Sequence, residues 1–283
     1  MSVPYLDTKR QSAILRKDRE RRDARWFVAG LVAVVFVGTL WFSAQGTNAH
    51  IGDALRALGQ IGREAWPPDF GRAPEWGRPL LESLSMSIAG TILATIIAVP
   101  LAVMAARVTA PFLWLSAVVR LVFNLSRALP ELILGVVLVA AVGFGTMSGV
   151  LALALHSVGM LGKFFAETID HSDPSAPEAL KANGASPLQV QLHGVLPLVW
   201  GQWRDILFYR WEYNFRASTI LGMVGAGGLG AELIGALRIL DYQQTSALLI
   251  TILVGVTLVD WISARLRVGV SERHGGLNPD LRF

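Results

Sequence analysis

The chain has 283 residues, of which 53% are hydrophobic and 16% charged, with a formal net charge of +4. Soluble domains carry about 25% charged residues, so this composition indicates a membrane protein. The basic residues lie beside apolar segments, where they act as orientation signals rather than as a nucleic-acid-binding surface. The absence of cysteine excludes a disulfide framework, an iron–sulfur cluster and a thiolate zinc site.

The N-terminal region combines a charged leader with an apolar stretch. Residues 1–25 are polar and rich in charge, and Trp26 to Phe42 is uncharged. This stretch is long enough to cross a bilayer, with Trp26 and Trp41 as interfacial anchors. Because the leader is long and no small-residue cleavage site follows, a cleaved signal peptide is disfavoured. We predict a cytoplasmic basic tail over residues 1–25 and a transmembrane helix over residues 26–43.

The next segment, residues 44–79, has balanced charges and four prolines after residue 66. These features are typical of an extracytoplasmic segment, and its pattern predicts one short surface helix over Ile51 to Ile61. The uncharged stretch from Ser83 to Ala106 is predicted to return to the cytoplasm, with a kink near Pro100.

A helical pattern begins at Pro111 and is interrupted between Arg127 and Glu131, where Pro130 stands. The residues from Leu132 to Gly162 include no Asp, Glu, Lys or Arg. This stretch is too long for one span, and the turn from Gly143 to Gly149 divides it into an outward and an inward pass.

The remaining segments are a loop and two further spans. Residues 170–203 are polar to amphipathic and predict a cytoplasmic loop with one or two short helices. Ile206 to Leu221 is predicted to cross outward, and Tyr242 to about Ile262 to cross inward. Residues 268–283 are predicted as a cytoplasmic tail. The chain is therefore predicted to be an all-α integral membrane protein with about six spans and both termini in the cytoplasm.

The cytoplasmic loop carries a spaced pattern of small residues. The run from Glu178 to Gly184 reads Glu-Ala-Leu-Lys-Ala-Asn-Gly, and after nine intervening residues comes Gly194-Val-Leu-Pro197. A short helix can end at Gly184 in a left-handed conformation, and a second can start at Pro187. This elbow suits docking into a groove of a separate protein, and the alternative is an ordinary internal loop.

The spacing resembles the EAA motif of ABC-importer permeases. Two positions depart from that motif: Leu180 replaces its third alanine and Gly194 replaces a usual aliphatic residue. The resemblance implies that the loop docks on an ATPase and transmits its closure. The residues implied in this coupling are Glu178, Ala179, Gly184, Ala185, Leu196 and Pro197.

A glycine cluster extends from Gly222 to Gly230, and residues 225–230 satisfy the dinucleotide fingerprint G-x-G-x-x-G. A charged helix precedes it instead of a strand, and no acidic residue follows about 20 positions on, so nucleotide binding is rejected. In membrane proteins glycines permit a helix break beside a cavity or close helix packing. We predict a discontinuous helix beside the translocation path, with tight packing as the alternative; the candidates are Gly225, Gly227, Gly228 and Gly230.

Several charged residues occur within membrane-proximal helices, where each costs about 2.5–3.5 kcal/mol at mid-depth. They are expected to pair with one another, to face water or to lie at an interface. Guanidinium groups bind phosphoryl oxygens through bidentate hydrogen bonds, which makes the arginines candidates for an oxyanion path. The alternative is that each arginine marks the interface. The candidates are Arg127, Pro130, Glu131, Arg210, Glu212 and Arg216.

From about Leu80 to Arg267 the chain resembles the permease subunits of type I ABC importers, with a MetI-like core plus one N-terminal span. The Arg-x-x-Pro sequence ending at Pro130 is similar to a signature of such permeases. The stretch from Arg210 to Arg216 and the glycine block, after an Arg-Ala-Ser-Thr lead-in, are similar to the phosphonate and phosphite branch. The resemblance therefore implies a permease core over residues 80–267, with residues 170–203 as its coupling loop.

The resemblance further implies a protein of the bacterial inner membrane that transports phosphonate or a related oxyanion, such as phosphite or a phosphate ester. It implies a homodimer with two cytoplasmic ATP-binding subunits and an extracytoplasmic binding protein. The chain lacks the G-x-x-x-x-G-K-[ST] motif, so ATP and Mg are expected on the partner, with no cofactor, metal or enzymatic activity in this chain. The alternatives are a permease of the same fold for methionine or phosphate, a passive channel and a membrane-integral enzyme.

Overall fold

The computed structural model describes residues 25–42 and 51–274, and every regular element in these ranges is helical. Residues 1–24 of the predicted tail 1–25, residues 275–283 of the predicted tail 268–283, and the segment 43–50 lie outside the described residues. Residues 268–274 of the second predicted tail continue the last helix. The backbone contacts divide the chain into two compact units, Met1–Arg63 and Glu64–Phe283.

The first unit contains α1, Arg25–Phe42, and most of α2, Ile51–Glu64. All residues of α1 are exposed, and the helix is apolar and long enough to cross a bilayer. In α2 the apolar residues Leu55, Leu58 and Ile61 recur at helical spacing, so the helix is amphipathic. The helix predicted from Ile51 to Ile61 is therefore present and continues to Glu64.

The second unit begins with an ordered connection and a 3₁₀ turn, Ala73–Trp76. Ser246 donates a hydrogen bond to the carbonyl of Ala65 at 2.7 Å, and the amide of Asp69 donates to the carbonyl of Gln243 at 3.1 Å. Trp76 is buried, so this connection packs on the start of the last helix. The helices that follow are α3, Gly77–Ala105; α4, Leu113–Ala128; α5, Glu131–Val142; α6, Thr146–Asp170; α7, Ser175–Ala182; α8, Pro187–Gln189; α9, Leu196–Leu221; α10, Leu229–Arg238; and α11, Tyr242–His274.

Four of the described helices are long and apolar enough to cross a membrane: α1, α3 with its 3₁₀ turn, α6, and α11 as far as Arg267. Two bent pairs meet the same test, α4 with α5 at 87° and Pro187–Ala226 with α10 at 58°. The number of spans is six if each bent pair forms one span, which agrees with the number predicted from the sequence.

The bend between α4 and α5 follows from Pro130. The proline ring disfavours the helical conformation at the preceding residue, and Leu129 is extended at φ −84°, ψ 122°. Pro130 also lacks the amide that would continue the hydrogen-bond ladder. The interruption predicted from the sequence is therefore a sharp corner, with Arg127 in the last turn of α4 and Glu131 at the start of α5.

The core forms around the contact of α3 with α6. The buried face of α3 is built from small residues, including Ala94, Ala98 and Ala102, which let α6 approach closely. On α6, Gly162 leaves space that the ring of Phe123 from α4 fills. Trp203 of α9 stacks on Phe165 of α6 with ring centroids 4.5 Å apart. Small residues and aromatic rings therefore fix how α3, α4, α6 and α9 cross.

Candidate translocation site and coupling surface

A group of polar side chains meets midway along the bundle, where the corner between α4 and α5 contacts α6 and α9. We call it the polar cluster; its members are Thr91, Arg127, Glu131, His156, Ser157, Arg210, Tyr213 and Asn214. Thr91, Ser157 and Arg210 lie near the middle of α3, α6 and α9, respectively. The polar cluster therefore contains residues from five helices: α3, α4, α5, α6 and α9.

Arg210 is the most deeply buried charge of the polar cluster, with 2% of its surface exposed. Its Nε donates to Ser157 Oγ at 2.8 Å, and its guanidinium lies 4.4 Å from the centroid of the Tyr213 ring. Neutral groups hold this cation, since the described residues place no carboxylate within ion-pair distance of it. A buried cation without a direct ion pair is costly, so the arrangement favours binding of an anion.

Neutral hydrogen bonds fix the surroundings of Arg210. Asn214 is fully buried; its Nδ2 donates to Thr91 Oγ1 at 2.8 Å, and Ser157 donates to its Oδ1 at 3.1 Å. These bonds connect α9 to α3 and α6 at the depth of the guanidinium. The position of Arg210 is therefore determined by packing on both sides.

The corner at Pro130 brings Glu131 and Arg127 to the same place. The hydroxyl of Tyr213 donates to Glu131 Oε1 at 3.0 Å, and His156 Nε2 lies 3.9 Å from Glu131 Oε2. The stem of Arg127 passes over Gly159 of α6, where a side chain would collide with its Cγ. The corner thus places an acidic side chain against Tyr213, which also contacts Arg210, and a basic side chain against α6 at Gly159.

Three buried atoms of the polar cluster have no hydrogen-bond partner among the described residues: Arg127 Nε, Glu131 Oε2 and Arg210 Nη2. Buried polar groups are nearly always hydrogen-bonded, and each unsatisfied group costs about 1–3 kcal/mol. Two of these atoms are donors and one is an acceptor. A ligand that satisfied these atoms would offer acceptors to the two donors and one donor to the acceptor.

The other two charged candidates of α9 lie on its opposite face. Glu212 pairs with Arg267, and Arg216 Nη1 lies 3.2 Å from Asp260 Oδ1, so both contact α11. The helical period explains this separation, because residues two apart point in nearly opposite directions and residues four apart share a face. The structure therefore brings Arg127, Glu131 and Arg210 together and places Glu212 and Arg216 in contacts within the bundle.

The glycine block forms a break between α9 and α10. Gly225, Gly227 and Gly228 have φ of 113°, 88° and 72°, values that side chains rarely adopt. The amide of Gly228 donates to Glu82 Oε2 at 3.1 Å, and that of Leu229 to Ser83 Oγ at 3.0 Å. The helix is discontinuous, as the sequence predicted, and the break lies against the first turns of α3 rather than in the polar cluster.

Close packing, the alternative for these glycines, also occurs in the block. A side chain at Gly230 would collide with the carbonyl of Thr219, and one at Gly222 with the carbonyl of Gly227. Gly225 accepts a hydrogen bond from the amide of Gly145 at 3.0 Å, which ties the block to the turn between α5 and α6. Gly225, Gly227 and Gly228 therefore permit the helix break, and Gly222 and Gly230 permit close packing.

The predicted coupling loop is an elbow made of α7, α8 and a π turn, Val190–Val195. α7 ends before Gly184, which adopts φ 78°, and Ser186 with Gln189 forms a capping box at the start of α8. Glu178, Ala179, Gly184 and Pro197 are exposed, and Ala185 and Leu196 are half-buried. The elbow therefore presents most of its predicted residues at the surface.

The two departures from the EAA motif meet inside this elbow. A Cβ on Gly194 would lie 3.0 Å from Leu180 Cδ1 and 3.2 Å from Pro177 Cα. The larger residue at position 180 thus fills the space that the smaller residue at position 194 leaves, and the elbow stays closed.

The C-terminal end of α6 joins the elbow to α4. Asp170 accepts a hydrogen bond from the amide of Arg107 at 2.6 Å, and its other oxygen lies 2.6 Å from Arg120 Nη2. Arg120 Nε also donates to the carbonyl of Ala105 at 2.9 Å. One carboxylate therefore connects the ends of α3 and α6 to the helix that leads into the corner at Pro130.

Sequence reasoning singled out the charged members of the polar cluster but not its neutral ones or His156. Asn214 follows Arg210 by four residues, which is the one local signal that both share a face. Thr91 and Ser157 lie far away in the chain, and no local pattern indicates them. In the described ranges no three His, Cys, Asp or Glu residues lie close enough together to hold a metal ion.

Comparison with known proteins gives one family and one fold. Residues 98–271 match the family described as binding-protein-dependent transport system inner membrane component. The chain is 51% identical over 245 residues to the phosphite transport system permease protein PtxC of Stutzerimonas stutzeri, which covers 86% of this chain and 89% of that protein. It is 41% identical over 201 residues to the phosphate-import permease protein PhnE of Mycolicibacterium smegmatis, covering 71% of this chain and 38% of that one.

Among solved structures, the chain is similar to one from the inward-facing MetNI methionine ABC transporter. The TM-score is 0.62 at 21% identity, and the match covers 69% of this chain and 95% of that one. At this identity the likeness shows the fold alone.

Proposed function

The chain belongs to the family of binding-protein-dependent transport system inner membrane components, and from this premise we propose that it forms the translocation path for phosphite or a related phosphorus oxyanion. As a family member it is a multi-pass inner-membrane permease of an ABC importer, which acts with an ATPase and a binding protein. The substrate proposal is supported by the relatives named for phosphite and phosphate transport.

The observation that carries the proposal is the burial of Arg210 at 2% exposure without a carboxylate partner among the described residues. A guanidinium in a low-dielectric site binds phosphoryl oxygens by charge-assisted hydrogen bonds. Arg127 offers a second unpartnered donor on the neighbouring corner. A tetrahedral oxyanion that passes this point would satisfy both donors for part of the transport cycle.

Phosphite uptake by the complete transporter tests this proposal. A strain that lacks the gene is complemented with the wild-type chain, with Arg210→Gln or with Arg265→Gln, and supplied with phosphite as sole phosphorus source. Loss of a charge-assisted hydrogen bond costs about 1.5–3 kcal/mol, so Arg210→Gln should lower uptake at least about 10-fold. Arg265 is an exposed arginine that lies over Trp261 on α11, and its variant should keep uptake within about twofold of wild type. Equal uptake by both variants would contradict the proposal.

Phosphate is the second candidate substrate, because one relative is named a phosphate-import permease and phosphate presents the same tetrahedral oxygens. Uptake of phosphite, phosphate and methylphosphonate by the same strains separates these substrates. A methionine substrate has only the fold likeness in its favour.

We further propose that two copies of the chain form the path, with two cytoplasmic subunits that bind ATP and Mg. In this arrangement the elbow from Glu178 to Pro197 faces the cytoplasm and docks on the ATPase, and both termini lie on the same side. The exposure of Glu178, Ala179 and Gly184 supports the docking assignment.

A further inference from the structure

Glu131 differs from the other acids that contact a neighbouring helix, because one of its oxygens is buried and unused. Its Oε1 accepts a hydrogen bond from Tyr213 at 3.0 Å, and its side chain is 14% exposed. Its Oε2 is buried without a hydrogen-bond partner among the described residues. His156 Nε2, at 3.9 Å, is too far away to donate a hydrogen bond to it. An ionised carboxylate only accepts hydrogen bonds, so Oε2 requires a donor.

The unpartnered atoms of the polar cluster indicate the chemistry of a ligand that would complete it. Arg210 Nη2 and Arg127 Nε are donors, whereas Glu131 Oε2 is an acceptor. A singly protonated phosphite, phosphonate or phosphate carries P–O⁻ oxygens for the donors and one P–OH for the acceptor. Sulfate at neutral pH is fully deprotonated and offers acceptors only, so it would leave Oε2 without a donor and place two anions in contact.

We propose that Glu131 is the specificity-determining residue of the oxyanion site, in that it accepts a hydrogen bond from the P–OH group and thereby excludes sulfate. This inference rests on the proposed function, since it needs an oxyanion to reach Arg210. Tyr213 acts as a positioning residue, because its hydroxyl holds the carboxylate and leaves Oε2 for the ligand. Sites built to hydrogen-bond a hydroxyl group reject analogues that lack it, because a buried polar group is then left unpaired.

The test measures anion binding to the permease–ATPase complex in nanodiscs without the binding protein, so that the selectivity of that protein does not contribute. Radiolabelled phosphite is the probe, and unlabelled phosphate and sulfate compete. In the wild type, phosphate should compete within about threefold of phosphite, and sulfate at least about 10-fold more weakly. In Glu131→Gln the amide nitrogen can donate a hydrogen bond to sulfate. The concentration of sulfate that displaces half of the labelled phosphite should then lie within about threefold of that of phosphate.

A matched control is Glu167→Gln, the same substitution on α6 at a residue paired with Lys163 outside the polar cluster. In this variant the ratio of the competing concentrations of sulfate and phosphate should equal that of the wild type. Should Glu131→Gln fail to co-purify with the ATPase, Tyr213→Phe decides. That variant keeps the Glu131 carboxylate but removes the hydroxyl that holds it in position. It should lower the discrimination against sulfate at least about threefold.

The outcomes separate this inference from the proposed function. If wild-type complex binds no phosphite, or if Arg210→Gln binds it normally, the oxyanion site itself is refuted. If Arg210→Gln loses binding while Glu131→Gln and Tyr213→Phe keep the wild-type discrimination, only the role of Glu131 is overturned. Sulfate competition equal to phosphate in the wild type would also overturn that role.

Discussion

At the residue scale, the contact between Leu180 and Gly194 shows how two sequence departures become compatible in space. A Cβ at position 194 would meet the flexible end of Leu180 at 3.0 Å and the backbone of Pro177 at 3.2 Å. The side chain of Leu180 can move, whereas Pro177 is a buried residue of α7. One part of the cost of enlarging Gly194 therefore depends on the residue at position 180, and the contact with Pro177 sets the rest.

Because Leu180 and Gly194 share one space, we predict that substitutions at the two positions have coupled effects on stability. Gly194→Val should destabilise the permease–ATPase complex by about 1–3 kcal/mol, because overpacking forces side chains and backbone to shift. Adding Leu180→Ala should recover part of that loss, because it vacates the space that the new side chain needs. Thermal unfolding of the purified complex measures both effects.

Gly201→Val provides the control for this cycle, since a Cβ at Gly201 meets nothing within 4 Å. Its melting temperature should stay near that of the wild type. A double variant no more stable than Gly194→Val alone would show that the two positions do not compensate each other.

At the element scale, Gly184 decides what the elbow can present to a partner. Its φ of 78° favours glycine, and a Cβ there meets nothing within 4 Å, so a side chain would project into open space. Aspartate tolerates the left-handed conformation better than most residues do, so the elbow itself should keep its shape. What changes is the surface proposed to contact the ATPase.

Gly184→Asp should therefore leave the protein in the membrane and abolish the coupling of uptake to ATP hydrolysis. Uptake in proteoliposomes should fall at least about 10-fold, whereas the amount of permease in membranes stays within about twofold of wild type. Normal uptake by this variant would count against the coupling role of the elbow.

The pair of Arg120 with Asp170 is a second feature of this scale. It joins the end of α6, which leads into the elbow, to α4, which leads into the corner at Pro130. Both side chains are largely buried, at 29% and 17% exposure, so this contact is stronger than a surface ion pair. Motion of the elbow therefore has a direct connection to the helix that carries Arg127.

Asp170→Asn removes the charge of this pair but keeps an oxygen that can accept the amide of Arg107. We expect lower uptake per ATP hydrolysed, by about three- to tenfold, because α4 no longer follows the elbow. The ratio of transport to hydrolysis in proteoliposomes measures this. Asp205→Asn is the control, since its pair with Arg204 joins adjacent residues on one helix; an equal effect of both variants would refute a specific link.

At the scale of the whole molecule, the absence of native cysteine permits a direct test of topology. Single substitutions Ala179→Cys and Gly71→Cys place one thiol in the elbow and one in the connection before α3. A membrane-impermeant thiol reagent should label Gly71→Cys from outside intact cells, and Ala179→Cys only in inverted vesicles. Labelling of Ala179→Cys from outside would place the elbow on the wrong side for an ATPase.

The number of copies is the other prediction at this scale. Native mass spectrometry of the complete complex should detect two copies of this chain and two ATPase subunits. A complex with one copy of this chain and a different permease chain would refute the homodimer while leaving the family unchanged.

The sequence alone determined the features that depend on local covalent and conformational rules. Pro130 predicted an interruption and the structure has a corner there; Gly184 and Pro187 predicted the end of one helix and the start of another, and both are present. The membrane class, the all-helical fold of the described residues and the candidate spans, six if each bent pair forms one span, followed from apolar segment lengths. Each of these features is encoded within one helix length of the residue concerned.

Only the tertiary structure decided which charged side chains meet. The sequence grouped Arg210, Glu212 and Arg216 as one set, but helix rotation and the position of α11 separate them: Arg210 turns towards Glu131 and Ser157, and the other two pair with α11. Contacts between residues distant in the chain depend on how helices cross, and that is set by small residues and aromatic rings on several helices together. For that reason only the folded structure shows that Glu131 Oε2 and Arg210 Nη2 are buried without a hydrogen-bond partner among the described residues.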